Sequence, residues 1–407
     1  MAQIQIICKK DAAMPLKRTL SLPLITFYGL GTILGAGIYA LVGEVAKQAE
    51  RFTPLSFLIA SIIALFTAAS YAELSARFPQ SAGSALYVRK AFNSPWLSGL
   101  IGWVVVLTGV TSAATIAHGF ANYFKLFAPI SPYLSITLLV LILGGLAIWG
   151  IRESATLIMI MTIIEVSGLI LIIFYGRHSF QSLDLTHFSL PTSFNGVFIG
   201  ALLAFYAYIG FEDMVNTAEE TINPEKNLPL AIFLAVFITT ILYLLIAWVV
   251  ISLLTTQELE QISTPLVTII TKQGQSAFLF SIIALISITN GILVQIIMAS
   301  RLIYGMARQE NAPKLFATIY EKTHTPVYAT LLVIGIILIF AYALPITTLA
   351  KLTSSIILCI FIAIHISLIK IKLTEKKKPD SFSLPIIFPI IAIILTLSFL
   401  TIQFFLQ

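Results

Sequence analysis

The 407-residue chain is 58% hydrophobic and only 10% charged, with a mean hydropathy of +0.98. Soluble domains carry roughly a quarter charged residues, so a soluble enzyme or binding module is excluded and an all-α polytopic membrane protein is expected. A net charge of +6 would suggest nucleic acid in a soluble chain, but here the charges belong to loops between apolar runs and no nucleic-acid partner is expected. The lipid bilayer is the expected surroundings.

The N-terminal segment 1–20 carries Lys9, Lys10, Lys17 and Arg18 with no small-residue cleavage site after the first apolar run, and reads as a retained cytoplasmic tail. Apolar runs follow at about 21–46, 53–76, 95–124, 133–151, 154–175, 194–217, 228–254, 276–306, 326–343, 345–370 and 384–406. Each is long enough to cross a ~30 Å hydrocarbon core as a helix. The runs are continuous and rich in Leu and Ile, without the alternation of a membrane β-barrel. Cys8 and Cys359 lie in settings too different to suggest a disulfide framework.

About eleven spans place the termini on opposite sides, and the loop charges agree. One set of loops holds the basic tail, Arg77, Arg89, Lys90, Arg152, Lys226, Arg301, Arg308, Lys314, Lys322 and the run Lys370, Lys372, Lys376, Lys377, Lys378. The other holds Lys47, Arg51, Lys125, Arg177, Lys272 and Lys351. The N-terminus is expected inside and the C-terminus outside, in a cytoplasmic or plasma membrane.

Within the first span, residues 27–43 read FYGLGTILGAGIYALVG, with five glycines in an otherwise apolar helix. Gly costs about 1 kcal/mol relative to Ala inside a helix, so the cluster asks for a cause. Gly31 and Gly35 form a GxxxG pair suited to close helix packing. The second cause is a break, tolerated at membrane depth only where the backbone faces protein or a watery cavity. GxGxxG is not matched and no βαβ pattern surrounds the stretch, so a dinucleotide loop is excluded.

The sixth span is irregular in a related way: Phe205-Tyr206-Ala207-Tyr208-Ile209-Gly210-Phe211 is followed directly by Glu212 and Asp213. The two irregular spans lie five positions apart in the order of spans, so a five-helix unit placed twice would have opposite membrane orientations. That is an inverted repeat led in each half by a discontinuous helix. The expected organisation is a first repeat at 21–175, a second at 194–370 and a peripheral eleventh helix at 384–406.

Four motifs resemble the amino acid, polyamine and organocation permeases. They are GTILGAGIY at 31–39; SYAELSARFP at 70–79, followed by Ser81-Ala82-Gly83 and Tyr87; FYAYIGFE at 205–212 leading into AEETINPEKNLP at 218–229; and SRLIYGMARQENAP at 300–313. The resemblance implies the leucine-transporter architecture, five plus five helices in inverted repeat, with substrate held where the first and sixth spans unwind. Family members commonly carry twelve spans, and this chain is expected to stop one short.

No HExxH, P-loop, GxSxG or metal-spaced His and Cys cluster is present, so no catalytic or metal site is expected. Two opposed helix breaks can read an α-amino acid by backbone alone. The N–H groups of Gly35, Ala36 and Gly37 would receive the carboxylate. The carbonyls near Ile33 and of Tyr206, Ala207 and Ile209 would receive the ammonium. The resemblance implies that Tyr206 or Tyr208 serves as gate or pocket wall, against ordinary aromatic packing.

Glu165 lies mid-span in MTIIEVSGLILII, where an ionised acid costs roughly 2.5–3.5 kcal/mol even on lenient scales. It is expected to face the interior. Proton-coupled relatives carry a Lys at the corresponding point and sodium-coupled ones hold an ion there; this chain departs by carrying an acid. Proton binding and release at Glu165 is the expected coupling event, with sodium ligation and a permanently neutral acid as alternatives. No other cofactor is expected.

Glu212 and Asp213 lie nearer the cytoplasmic half of the sixth span, while Glu219 and Glu220 at its end are expected to pair with Arg77, Arg301 or Arg308, with an inner gate as the alternative. Ser287, Thr289 and Asn290 are candidates for helix contacts or an ion site, and Thr108, Thr111 and Ser112 for helix contacts or the side-chain pocket. His118 and His365 read as satisfied polar residues. The segment 255–274 is expected outside as an amphipathic lid. The expected activity is secondary active amino acid transport, with exchange or cationic substrates as alternatives and a channel or sensor further away. A neutral or aliphatic substrate is favoured, although Glu165 leaves a cationic amino acid or amine open.

Overall fold

The structure, a computed structural model, describes residues 16–124, 127–180, 194–262, 265–344, 346–374 and 382–405. The tail up to residue 15, Lys125, the run Lys376, Lys377, Lys378 and the side chains of Ala36 and Lys351 lie outside the described residues.

The described chain is helical, with isolated bridges in place of strands. In order the helices are α1 (Leu22–Ala49), α2 (Thr53–Arg77), α3 (Gly83–Phe92), α4 (Pro95–Phe124), α5 (Pro132–Trp149), α6 (Ile151–Tyr175), α7 (Asn195–Tyr206), α8 (Pro224–Leu253), α9 (Thr256–Gln261), α10 (Pro265–Lys272), α11 (Ala277–Arg308), α12 (Val327–Ala343), α13 (Ile346–Thr374) and α14 (Ile387–Phe405). Nine stretches among the described residues are long and apolar enough to span a membrane, and α12 and α14 contribute shorter apolar helices. The eleven expected spans are therefore all helical.

Local chemistry sets the boundaries. A proline sits in the first turn of α1, α2, α5 and α8, where its missing N–H has no helical partner to lose. Gly150 is extended and separates α5 from α6. One helix was not expected: α3 occupies the loop between the second and third spans and is buried along most of its length. Its single apolar face is too short to register as a span.

α1 is packed among α6, α7, α8 and α11, while α4 lies against α11 and α13 and α14 covers α2 and α13. Large apolar side chains such as Trp149, Phe237 and Ile339 point outward, as a lipid-facing surface requires.

The start of α1 is tied to the far side of the second irregular span. Leu20 and Thr221 form a parallel bridge. The N–H groups of Thr19 and Leu20 donate to the Glu220 carbonyl at 2.9 Å, and the Ile222 N–H donates to Leu20 at 2.8 Å. Buried Glu220 also faces buried Arg301 at 3.4 Å, and Glu219 pairs with Arg308 at 2.8 Å. The expected partner Arg77 is engaged elsewhere: it pairs at 2.7 Å with Glu73, one helical turn earlier. Glu73 also accepts from Lys372 at 2.6 Å, because a fully buried carboxylate is cheapest when several donors converge on it.

Candidate functional site

α1 is helical on both sides of Gly35, whose φ of 10° and ψ of −136° leave helical geometry. The interruption lies inside the glycine cluster. Gly35 has room beside it, the nearest foreign atom to an added Cβ being Gly291 Cα at 3.9 Å. Gly29 and Gly31 have none: a Cβ on Gly31 would lie 2.4 Å from Thr162 Oγ1, and one on Gly29 2.4 Å from Met214 Sδ. These two glycines serve packing, as expected of Gly31.

The second interruption follows α7, which ends at Tyr206. The Ala207, Tyr208 and Ile209 N–H groups turn back to the carbonyls of Ala204, Phe205 and Tyr206 at 2.9–3.2 Å. Gly210 then adopts φ 130°, and a 3₁₀ segment runs over Phe211–Glu220. Only glycine takes that backbone without strain, and a Cβ there would lie 2.7 Å from the Thr32 carbonyl. The Glu212 carboxylate caps the break, accepting from the Gly210 N–H at 2.8 Å.

The two interruptions touch. A Cβ on Gly37 would lie 3.0 Å from Ala207 Cα. The Tyr243 hydroxyl, from α8, lies 3.0 Å from the Ile33 carbonyl and 2.9 Å from that of Ala207. One O–H is thus shared between a carbonyl of each break. Tyr243 was not singled out from sequence, since a lone tyrosine in an apolar run carries no local signal. Among the expected ammonium acceptors, the carbonyls of Ile33 and Ala207 meet through Tyr243. That of Tyr206 accepts from its own chain at Ile209.

Of the two candidate gate tyrosines, Tyr208 is fully buried and edge-on to Tyr243, with ring centroids 5.1 Å apart. Tyr206 is only partly buried and is the one of the pair placed toward Ser112 on α4. Thr108 and Thr111 spend their hydroxyls on carbonyls of α4 itself, and Thr111 also meets Thr353 at 2.9 Å. Thr289 likewise bonds its own helix, at the Leu285 carbonyl.

Behind the α1 break, Glu165 is completely buried. Ser287 of α11 places its hydroxyl 2.7 Å from the Gly35 carbonyl and 2.5 Å from Glu165 Oε1. Tyr39 of α1 donates to the Glu165 backbone carbonyl at 3.2 Å. One turn away, Asn290 Nδ2 donates to Thr162 at 3.0 Å and Thr162 donates to the Phe27 carbonyl at 3.3 Å. Two polar links therefore run from α11 to the α1 backbone, one directly from Ser287, which also holds the acid, and one from Asn290 through a threonine.

Asp213 accepts from Gln295 of α11 at 2.8 Å. His365 lies between Ser70 at 3.0 Å and Thr67 at 3.4 Å, while His118 Nε2 has no hydrogen-bond partner among the described residues. The segment expected to act as a lid holds α9 and α10. Thr255 and Glu258 make a reciprocal capping box at the start of α9, and Glu258 pairs with Lys272 of α10 at 2.5 Å. Lys272 and the Thr255 donors hold the Glu258 carboxyl down to about 2. Pro265 covers Gly43 of α1, leaving an added Cβ only 2.6 Å.

A bundle of membrane helices in which two interrupted helices meet backbone to backbone, with a buried acid behind one of them, defines a polytopic membrane protein built as a transporter is. The chain belongs to the amino acid permease family, whose model matches residues 20–407. It is 29% identical to the vacuolar cationic amino acid transporter 4 of Arabidopsis thaliana, over 89% of this chain and 65% of that protein. It is 30% identical to the mitochondrial cationic amino acid transporter 3 of the same plant, over 91% and 64%. Against the branched-chain amino acid permease BcaP of Bacillus subtilis the identity is 28%, over 93% and 86%. The chain thus spans just under two thirds of the length of the two plant relatives. The resemblance carried by the four sequence motifs is the family itself, and these relatives are permeases and transporters rather than enzymes.

Proposed function

We propose that this chain is a secondary active amino acid permease of the cytoplasmic or plasma membrane, working by alternating access around the two interruptions. The carrying observation is their direct contact at Gly37 and Ala207, with Tyr243 bonded to a carbonyl of each. An α-amino acid entering there would offer its carboxylate to the N–H groups of Gly35, Ala36 and Gly37, and its ammonium to the Ile33 and Ala207 carbonyls in place of the Tyr243 hydroxyl. The 21–175 and 194–370 units act as an inverted repeat, with the N-terminus inside and the C-terminus outside. Glu165, buried behind the break it would control, carries the coupling proton. Its neighbours on α11 and α1 support that role.

The test is uptake of labelled leucine and arginine into proteoliposomes under an inward proton gradient, an inward sodium gradient, or neither. Saturable uptake of one or both, concentrated by the proton gradient alone, is expected. Glu165→Gln should equilibrate substrate without concentrating it. A sodium-driven gradient would transfer the coupling role to sodium, and absence of saturable uptake would leave a channel or sensor.

A further inference from the structure

The hydroxyl of Ser287 stands 2.7 Å from the Gly35 carbonyl and 2.5 Å from Glu165 Oε1, and it owns one hydrogen. A backbone carbonyl can only accept, and so can an ionised carboxylate. With Glu165 ionised, one hydrogen faces two acceptor oxygens, and one of the two short contacts lacks a proton. With Glu165 neutral there are two hydrogens, and both contacts become ordinary bonds: the carboxyl O–H donates to Ser287 and Ser287 donates to Gly35. The second carboxyl oxygen, Oε2, is buried without a hydrogen-bond partner among the described residues, the Asn290 amide beside the carboxyl being directed to Thr162 at 3.0 Å, and a neutral acid tolerates this far better than an anion. The titratable groups facing Glu165 are Tyr39 of α1 and Tyr243 of α8. α11 brings Ser287 and Asn290, and no charged side chain from α5 or α10 acts on the carboxyl.

We infer that Ser287 is a positioning residue that converts the proton state of Glu165 into the hydrogen-bonding state of the α1 break. This rests on the proposal that Glu165 carries the coupling proton, and adds the group through which that proton acts. When Glu165 is protonated, Ser287 is free to hold the Gly35 carbonyl and keeps the break pinned to α11. When the carboxyl releases its proton to water on the side then open, Ser287 rotates its O–H to the carboxylate. No bond of the serine breaks, but the Gly35 carbonyl loses its donor and the break is released from α11. In Glu165→Gln the amide cannot release a proton, so the partner of Ser287 no longer follows pH and transport proceeds uncoupled.

The test reads the carboxyl directly. In infrared difference spectra of reconstituted protein taken across a pH step, the C=O stretch of protonated Glu165 is the band that Glu165→Gln removes. Ser287→Ala should move that band to higher frequency, since the carboxyl loses its acceptor, and Ser287→Thr should leave it near the wild-type position. Absence of the band in wild-type protein, or a band unmoved by Ser287→Ala, overturns the inference without needing a transport substrate. Transport gives the second readout with leucine and arginine as probes. Ser287→Ala should lower proton-driven accumulation by about tenfold, within the usual range of coupling between linked sites, and Ser287→Thr should restore it. Loss of coupling in Glu165→Gln alone would leave Glu165 in its role and remove Ser287 from it. Coupling retained in both variants would overturn both. A Ser287→Ala protein that does not fold is read through Ser287→Thr, where a loss of coupling with the hydroxyl kept would equally overturn the inference.

Discussion

The two interruptions are built in opposite ways. The break after α7 is closed by its own chain: the Ala207, Tyr208 and Ile209 N–H groups turn back on α7, Glu212 caps the Gly210 N–H, and glycine alone fits at position 210. The break in α1 depends on another helix, for the Gly35 carbonyl is held by Ser287 of α11, whereas the Tyr243 hydroxyl serves a carbonyl of each break alike. A self-capped break is a fixed piece of architecture. A break held by exchangeable side chains from other helices can change state when one of them gains or loses a proton.

The largest effect is expected where the start of α1 is tied to the end of the 3₁₀ segment. Arg301→Ala would leave Glu220 buried and uncompensated beneath the Leu20 and Thr221 bridge. A loss of about 3 kcal/mol or more should appear as a lowered unfolding midpoint in detergent. Gly210→Ala tests the fixed break, since strain at φ 130° and a clash with Thr32 should cost about 2–3 kcal/mol. A fully stable Gly210→Ala protein would contradict the self-capped description. Tyr243→Phe probes the one hydroxyl shared by both breaks. Leaving two buried carbonyls without it should cost about 1–3 kcal/mol, and leucine or arginine uptake should fall with the unfolding midpoint.

The smallest effect is expected at the lid, and it sharpens the contrast in pH response. Glu258 is held down to about 2, so the Lys272 pair gains its contribution above the ordinary carboxylate range and loses it only as pH falls through about 2. Glu258→Gln should therefore leave the pH profile of uptake overlaying that of wild type across the neutral range. A displaced profile would move the proposed pH response from the α1 break to the α9–α10 segment.

Much of this arrangement was legible in the sequence. The spans follow from apolar run length, the α1 break from clustered glycines, and Glu165 from the cost of an acid in mid-span. Two features were not. Tyr243 meets Ile33 across 210 residues of chain, and nothing near it marks it apart from a core aromatic. Arg77 was expected to reach the acids beyond the sixth span, yet Glu73 stands one helical turn away and a helix brings such neighbours together without help from the fold. The short helix α3 escaped because its apolar face, unlike a span, covers only part of its circumference.

The dependence of the α1 break on α11 also bears on biosynthesis. Gly35 and Ser287 are 252 residues apart, which at about 5–20 residues per second is roughly 13–50 seconds of translation. For that interval the Gly35 carbonyl of α1 has no α11 to bind. Until the eighth span emerges, an unbroken α1 would keep that carbonyl bonded within its own helix. A ribosome stalled before Ser287 would leave that carbonyl without its α11 donor, and the nascent chain exposed to quality control.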